Sequence, residues 1–344
     1  MSDQLADSAE RLFAAYVGKQ VSRDADRGTW PQALWRAVEE AGFTAALLPE
    51  AAGGFGATPA EAFGLLRVAA AHAAPIPLPE TMLAGWLLAR AGLSVPGGVL
   101  TVAPVRRDER LELVREGSFW RVRGTATRVP WGRQAELVAV VAEGPDGTML
   151  ASVPASGFAV AQGANVAGEP RDTVTFDTVV DAVPCPLPRE TVRAAGAGVR
   201  AAQIAGALSK VLEICVGYVQ TRVQFGRPIG KFQAIQQNMA VLAGQSAAAI
   251  AAADMAARAF SRDLDPLVLA AAKARAGEAA SIGAALAHQA HGAIGFTQEY
   301  ALHDLTRRLW SWRDEFGNEA EWNLVLGRAA LRAGGDGLWP AITA

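Results

Sequence analysis

The hydrophobic pattern changes period twice along the chain, and this double switch narrows the fold more than any single motif. Up to about residue 97 apolar residues recur at helical spacing, as at Leu34, Trp35 and Val38 ahead of a Gly42 stop. The segment Thr58-Pro59-Ala60-Glu61 reads as an N-cap with proline in the first turn of a further helix. Between 98 and 186 the period drops to two. Phe119-Trp-Arg-Val-Arg, Leu137-Val-Ala-Val-Val, Thr148-Met-Leu-Ala-Ser-Val and Thr173-Val-Thr-Phe read as short strands, punctuated by turns at Glu116-Gly117, Pro145-Asp146-Gly147 and Gly168-Glu169-Pro170. From 187 onward the helical period returns in long alanine-rich stretches, over roughly 190–221, 234–260, 266–291 and 298–313. The expected fold is α+β: an N-terminal helical domain over 1–97, a barrel-like β-domain over 98–186 and a four-helix bundle over 187–344.

Hydrophobic residues make up 51% of the chain and charged ones 19%, against roughly 25% charged in an average soluble protein. That surplus predicts more apolar surface than one copy buries, hence an oligomer assembled through the bundle. A net charge of −2 with no basic block excludes the footprint of a nucleic-acid binder. Cys185 and Cys215 form no C-x-x-C, and the four histidines fall in no metal-ligand spacing, so no metal is expected. The N-terminus lacks the pattern of a signal peptide. The longest uncharged run, Ala234 to Ala253, contains Gln236, Gln237, Asn238 and Gln245, and reads as a buried helix rather than a membrane span. The expectation is a cytoplasmic protein without membrane contact.

Two stretches carry chemistry. In Arg222-Val-Gln-Phe225-Gly226-Arg-Pro228-Ile-Gly230-Lys-Phe232-Gln233 a helix ends, turns sharply and restarts. A guanidinium, suited to phosphate, precedes the turn, and an amide that can both donate and accept follows it. The bland alternative is an ordinary helix–helix turn. In Gln289-Ala-His-Gly292-Ala-Ile-Gly295-Phe296 two glycines end a long helix and let backbone approach a neighbour closely, or simply cap it. Gly196-Ala-Gly198-Val-Arg-Ala201 fits a dinucleotide fingerprint, but no strand precedes it and no acid lies about 20 residues on, so it reads as close helix packing.

These stretches resemble the signatures of the acyl-CoA dehydrogenase family: an Arg-x-x-Phe-Gly turn leading to Phe-Gln, and a Gln-x-x-Gly-Gly-x-Gly loop in which Ala293 replaces the second glycine. Leu47-Leu-Pro-Glu50-Ala-Ala-Gly53-Gly54-Phe-Gly56 and Phe176-Asp177-Thr178 are similar to further family segments. The resemblance implies FAD as cofactor, an acyl-CoA substrate dehydrogenated between Cα and Cβ, and electron-transfer flavoprotein or a similar acceptor. It further implies that Arg222, Phe225, Phe232 and Gln233 hold the FAD of a neighbouring subunit, and that Gln289, Gly292 and Gly295 contact the adenine end of FAD.

The family's catalytic carboxylate precedes a glycine after the last bundle helix, a position that falls on Phe316 ahead of Gly317. In other members it lies on the first bundle helix, near Gly196. Glu315 is therefore the candidate base after a one-residue shift, with Asp314 as runner-up; the bland reading makes both exposed acids paired with nearby arginines. The family's flavin-stacking strand is Arg128-Val129-Pro130 here, and proline has no N–H to donate. Short members of this kind resemble one subunit of mixed α2β2 assemblies acting on steroid side-chain or other bulky CoA esters. Three readings follow: an FAD-dependent acyl-CoA dehydrogenase in lipid or steroid catabolism, a non-catalytic subunit completing a partner's FAD site, and a flavin monooxygenase or oxidase on the same fold.

Overall fold

In the computed structural model residues 2–145, 147–262 and 264–343 are described. Five helices open the chain: α1 (Ser2–Tyr16), α2 (Lys19–Asp26), α3 (Gln32–Glu40), α4 (Pro59–Ala71) and α5 (Leu78–Arg90). The expected cap at Thr58 is a full capping box. The Thr58 hydroxyl accepts from Glu61 N at 3.2 Å, and the Glu61 carboxylate accepts from Thr58 N at 2.8 Å.

Eight strands follow: β1 (Leu100–Ala103), β2 (Glu112–Glu116), β3 (Phe119–Pro130), β4 (Leu137–Gly144), β5 (Gly147–Pro154), β6 (Phe158–Ala161), β7 (Arg171–Val180) and β8 (Ala182–Pro184). They form one sheet in the order β6-β7-β3-β2-β4-β5-β8, with β1 parallel to β4. Among the described residues no ladder joins β6 to β8, so the sheet is barrel-like without closing. Strand β4 explains its own unbroken apolar run. Val138, Val140 and Ala142 pack into the β-domain core, and Leu137, Ala139 and Val141 pack into the core shared with the helices.

The bundle consists of α6 (Arg189–Thr221), α7 (Gln233–Phe260), α8 (Pro266–His291) and α9 (Leu302–Asp314), with α10 (Glu319–Thr343) packed on α8 and interrupted at Gly334. Glycines of α6 set its close contacts. A Cβ at Gly206 would lie 2.0 Å from the Arg67 carbonyl oxygen of α4, and one at Gly198 would lie 2.7 Å from Leu269 of α8. The Gly196-Ala-Gly198 segment is thus packing, as expected. Helices α6 and α7 are long and apolar enough to cross a bilayer by length and composition, yet α6 carries the buried Arg193 and Arg200 and packs against α4, α7 and α8. The first half of α7 is largely exposed, with Val241 uncovered.

Candidate nucleotide and acyl sites at opposite ends of the bundle

Successive helices alternate in direction, so the C-terminal ends of α6 and α8 meet the start of α7 at one end of the bundle. Tyr218 of α6 joins them: its ring stacks on His291 of α8 at 4.2 Å, and its hydroxyl donates to the His291 carbonyl at 3.5 Å. The Arg222–Gln233 connection is a short hairpin, Val223–Gln224 against Arg227–Pro228, closed by Ile229 N donating to Arg222 O at 2.8 Å. Phe225 sits at its tip with φ 51° and is 91% exposed. Phe232 meets it edge-on at 6.0 Å, and the Arg227 guanidinium lies 4.2 Å over the Phe232 ring. The side chains of Arg222, Gln233 and Gln289 are exposed and engage no partner among the described residues. Gly292 turns at φ 63° with open space over its Cα. Six of the seven predicted cofactor residues therefore line this end. Gly295 instead is buried against His288, His291 and Leu302. A free guanidinium, unpaired amides, an exposed aromatic ring and an open glycine backbone fit the diphosphate and adenosine of a dinucleotide such as FAD.

At the opposite end Glu315, the expected base, lies in a buried ion-pair network. Its carboxylate, 13% exposed, accepts from Arg171 Nε at 2.7 Å and Nη2 at 3.0 Å, and from Asn165 Nδ2 at 3.1 Å. Arg200 Nη2 pairs with it at 2.7 Å. Burial alone would raise its pKa, but Arg171 and Arg200 outweigh that and hold it at about 2. With both oxygens engaged by guanidinium groups, this carboxylate is held as an anion. The network extends through Arg200 to Glu80 of α5 at 2.5 Å, and through Arg171 to Glu169 at 2.9 Å. Glu169 in turn accepts from Arg308 and Trp312 of α9. Helix α5, the β-domain and the bundle are thereby keyed together.

Phe316, in a left-handed turn at φ 55°, is buried against Gly196, where a Cβ would lie 2.3 Å from the ring. The two positions at which the family carries its base thus fill each other. The surrounding loop is held by Lys273 Nζ, donating to the carbonyls of Arg313 at 2.5 Å and Gly317 at 2.7 Å; burial pushes this amine down to about 7. Asp314, the runner-up, is exposed on a cavity of about 520 Å³ together with Arg107, Arg128, Pro130 and Phe316. Arg128 occupies a bulge at φ 56° and Pro130 donates nothing, so this cleft does not fit an isoalloxazine ring. Sequence reasoning missed Arg171, Arg200 and Lys273. The signal was available in α6 and α8, where Arg200 and Lys273 interrupt runs of alanine and glycine with no local acid to pair with.

Models of the acyl-CoA dehydrogenase N-terminal and C-terminal domains match residues 2–94 and 194–319. The chain is 29% identical over 306 residues to acyl-CoA dehydrogenase IpdE2 of Mycobacterium tuberculosis, covering 87% of each chain. It is 30% identical over 308 residues to IpdE2 of Mycolicibacterium smegmatis, covering 84% of this chain and 87% of that one. Among solved structures it is similar to the steroid ACAD Tcur3481-Tcur3483, with a TM-score of 0.89 and 27% identity over 95% of this chain and 96% of the other. The ChsE4-ChsE5 complex of Mycobacterium tuberculosis shares the fold at a TM-score of 0.84 and 24% identity, covering 95% and 96%.

Proposed function

The chain belongs to the acyl-CoA dehydrogenase family, and from that premise we propose that it is the assembly subunit of a heteromeric acyl-CoA dehydrogenase, completing the FAD site of a catalytic partner. One observation carries this reading. Phe316 packed on Gly196 leaves neither family base position with a carboxylate, while Glu315 is neutralised by Arg171 and Arg200. From Gly196 to Arg222 is roughly 40 Å of helix at about 1.5 Å per residue, too far for one dinucleotide to touch both ends. The exposed residues at the Arg222 end therefore serve a flavin whose ring lies in another subunit.

Arg222 neutralises the diphosphate, Gln233 and Gln289 hydrogen-bond the adenosine half, and Phe225 and Phe232 shield it from water. FAD, when bound, supplies the hydride acceptor for α,β-dehydrogenation of an acyl-CoA thioester. A bulky, steroid-like acyl group is the substrate class that the similarity to a steroid ACAD supports, with electron-transfer flavoprotein or a similar acceptor downstream and the cytoplasm as its location. The test is purification alone and after co-expression with a full-length acyl-CoA dehydrogenase subunit. A colourless chain alone and a yellow complex with one FAD per pair are expected. Stoichiometric FAD and dehydrogenase turnover in the chain alone would overturn the reading.

A second reading, a self-sufficient dehydrogenase with Asp314 as base, is favoured by the exposure of that carboxylate on the cavity. It requires Asp314→Asn to lower turnover at least about 10²-fold, whereas the assembly-subunit reading expects little change.

A further inference from the structure

One buried histidine near the Arg222 end has no role in the account above. His288, 8% exposed in the last turn of α8, is stacked between two rings: Phe296 at 4.0 Å and 20°, and Trp310 of α9 at 5.5 Å and 15°. Its Nε2 lies 2.9 Å from Thr306 Oγ1, and that hydroxyl is 3.5 Å from the His303 carbonyl. With the Thr306 hydroxyl proton turned to the His303 carbonyl, the Thr306 oxygen accepts from His288 Nε2. Nδ1 is left buried with no partner. Gly295 packs on that edge so closely that a Cβ there would be 3.2 Å from Nδ1. The ring thus touches α8, the Gly292–Phe296 turn and α9 at once, and the stacked Phe296 is 64% exposed.

We propose that His288 is a positioning residue for the nucleotide: its neutral ring, clamped by Phe296 and Trp310 and anchored on Thr306, holds the turn in the shape that receives the adenine end of FAD. The inference rests on the proposed FAD role of the Arg222 end. Protonation would bury an N–H at Nδ1 against Gly295 with no acceptor, and the stack would open to hydrate it. The titratable neighbours are His291 on α8, His303 on α9 and Tyr300 before it, with Cys215 and Tyr218 of α6 behind His291. Among them His291 and His303 oppose a charge on His288, and burial opposes it most. With its pKa lowered from the ordinary value, the closed turn is fully favoured above that value and loses stability as pH falls below it.

The experiment measures FAD affinity of the assembled complex between about pH 5 and 8. The unaltered protein is expected to lose affinity below roughly pH 6.5, by up to about tenfold per pH unit. His288→Phe, which keeps a stacking ring but cannot be protonated, should bind FAD at neutral pH within a few-fold and lose the acid-side fall. An unchanged fall in His288→Phe overturns the proposal. Should that variant fail to assemble, Thr306→Val, which removes the Nε2 partner, must move the midpoint of the fall; an unmoved midpoint overturns it equally. Arg222→Ala at neutral pH serves as the separate control: if it leaves FAD affinity intact, the FAD role of this end has failed, rather than that of His288.

Discussion

At the Arg222 end of the bundle the Arg222 guanidinium and the Gln233 and Gln289 amides face water without partners among the described residues, whereas Glu315, Arg171 and Arg200 are paired below the surface. The same α6 serves both. Its C-terminal end leads into the exposed hairpin, and its N-terminal half is packed on all sides around Arg200 and Gly196. Exposed, unpaired cations cost the isolated chain little and are available to a ligand, while buried, paired ones hold domains together and are available to nothing. Under the proposed function the first end is left free for a ligand, and the second holds the domains together.

The largest effect should come from breaking the buried end. Glu315→Ala leaves Arg171 and Arg200 buried without their shared anion, and should cost about 3–5 kcal/mol in denaturant unfolding. Turnover per bound FAD in the assembled complex should fall far less than the roughly 10²-fold or more lost with a general base. A stable variant with abolished turnover would reverse the assignment. The same pair gives a pH dependence. With its pKa lowered to about 2 from 4.5, Glu315 contributes stability above about pH 4.5 that disappears as pH falls toward 2, on the order of 3 kcal/mol in total.

At the other end, Arg222→Ala should weaken FAD retention by the complex about 10- to 100-fold, roughly 1.5–3 kcal/mol, with the oligomer intact by light scattering. Its effect on the unfolding of the isolated chain should be within about 0.5 kcal/mol, because Arg222 has no partner to lose there. Equal FAD content in the variant complex would erase the contrast between the two ends.

How much of this was legible in the sequence follows from where the partners lie. The helix, sheet, helix order is written in local periodicity, and strand β4 is readable because burial on both faces leaves no polar residue over 137–142. The Arg222–Gln233 and Gln289–Gly295 segments are equally local, so their seven signature positions could be read off, and six of them gather at one end. Glu315 could not be read this way. Its partners Arg171 and Asn165 are 144 and 150 residues away and come from another domain. The Phe316–Gly196 contact is likewise a meeting of distant segments; each position alone says only that a carboxylate is missing.

A milder probe of the buried end is Gly196→Ala. Alanine is favoured over glycine inside a helix by about 1 kcal/mol, but here its Cβ would meet the Phe316 ring at 2.3 Å. Overpacking of this kind typically costs about 1–3 kcal/mol, so a small net loss is expected. In the Phe316→Leu background the clash is relieved and the same substitution should become neutral or stabilising. A double-mutant cycle with no coupling would mean that the two positions do not fill each other.

The smallest expected effect makes the sharpest contrast. Phe225 is held at φ 51°, in the left-handed region, with its ring almost wholly in water, so neither backbone nor side chain stabilises the isolated chain. Phe225→Gly relieves a backbone penalty of about 1 kcal/mol and adds a comparable freedom to the unfolded chain, and the two should nearly cancel. Urea unfolding of the isolated chain should therefore shift by less than about 0.5 kcal/mol. In the complex the same change removes an aromatic face from the nucleotide, and FAD should dissociate measurably faster. Marked destabilisation of the isolated chain would make Phe225 a packing residue, and the exposed end would then resemble the buried one. A neutral effect on folding combined with faster FAD loss is the signature of a side chain kept for a ligand that only the assembly brings.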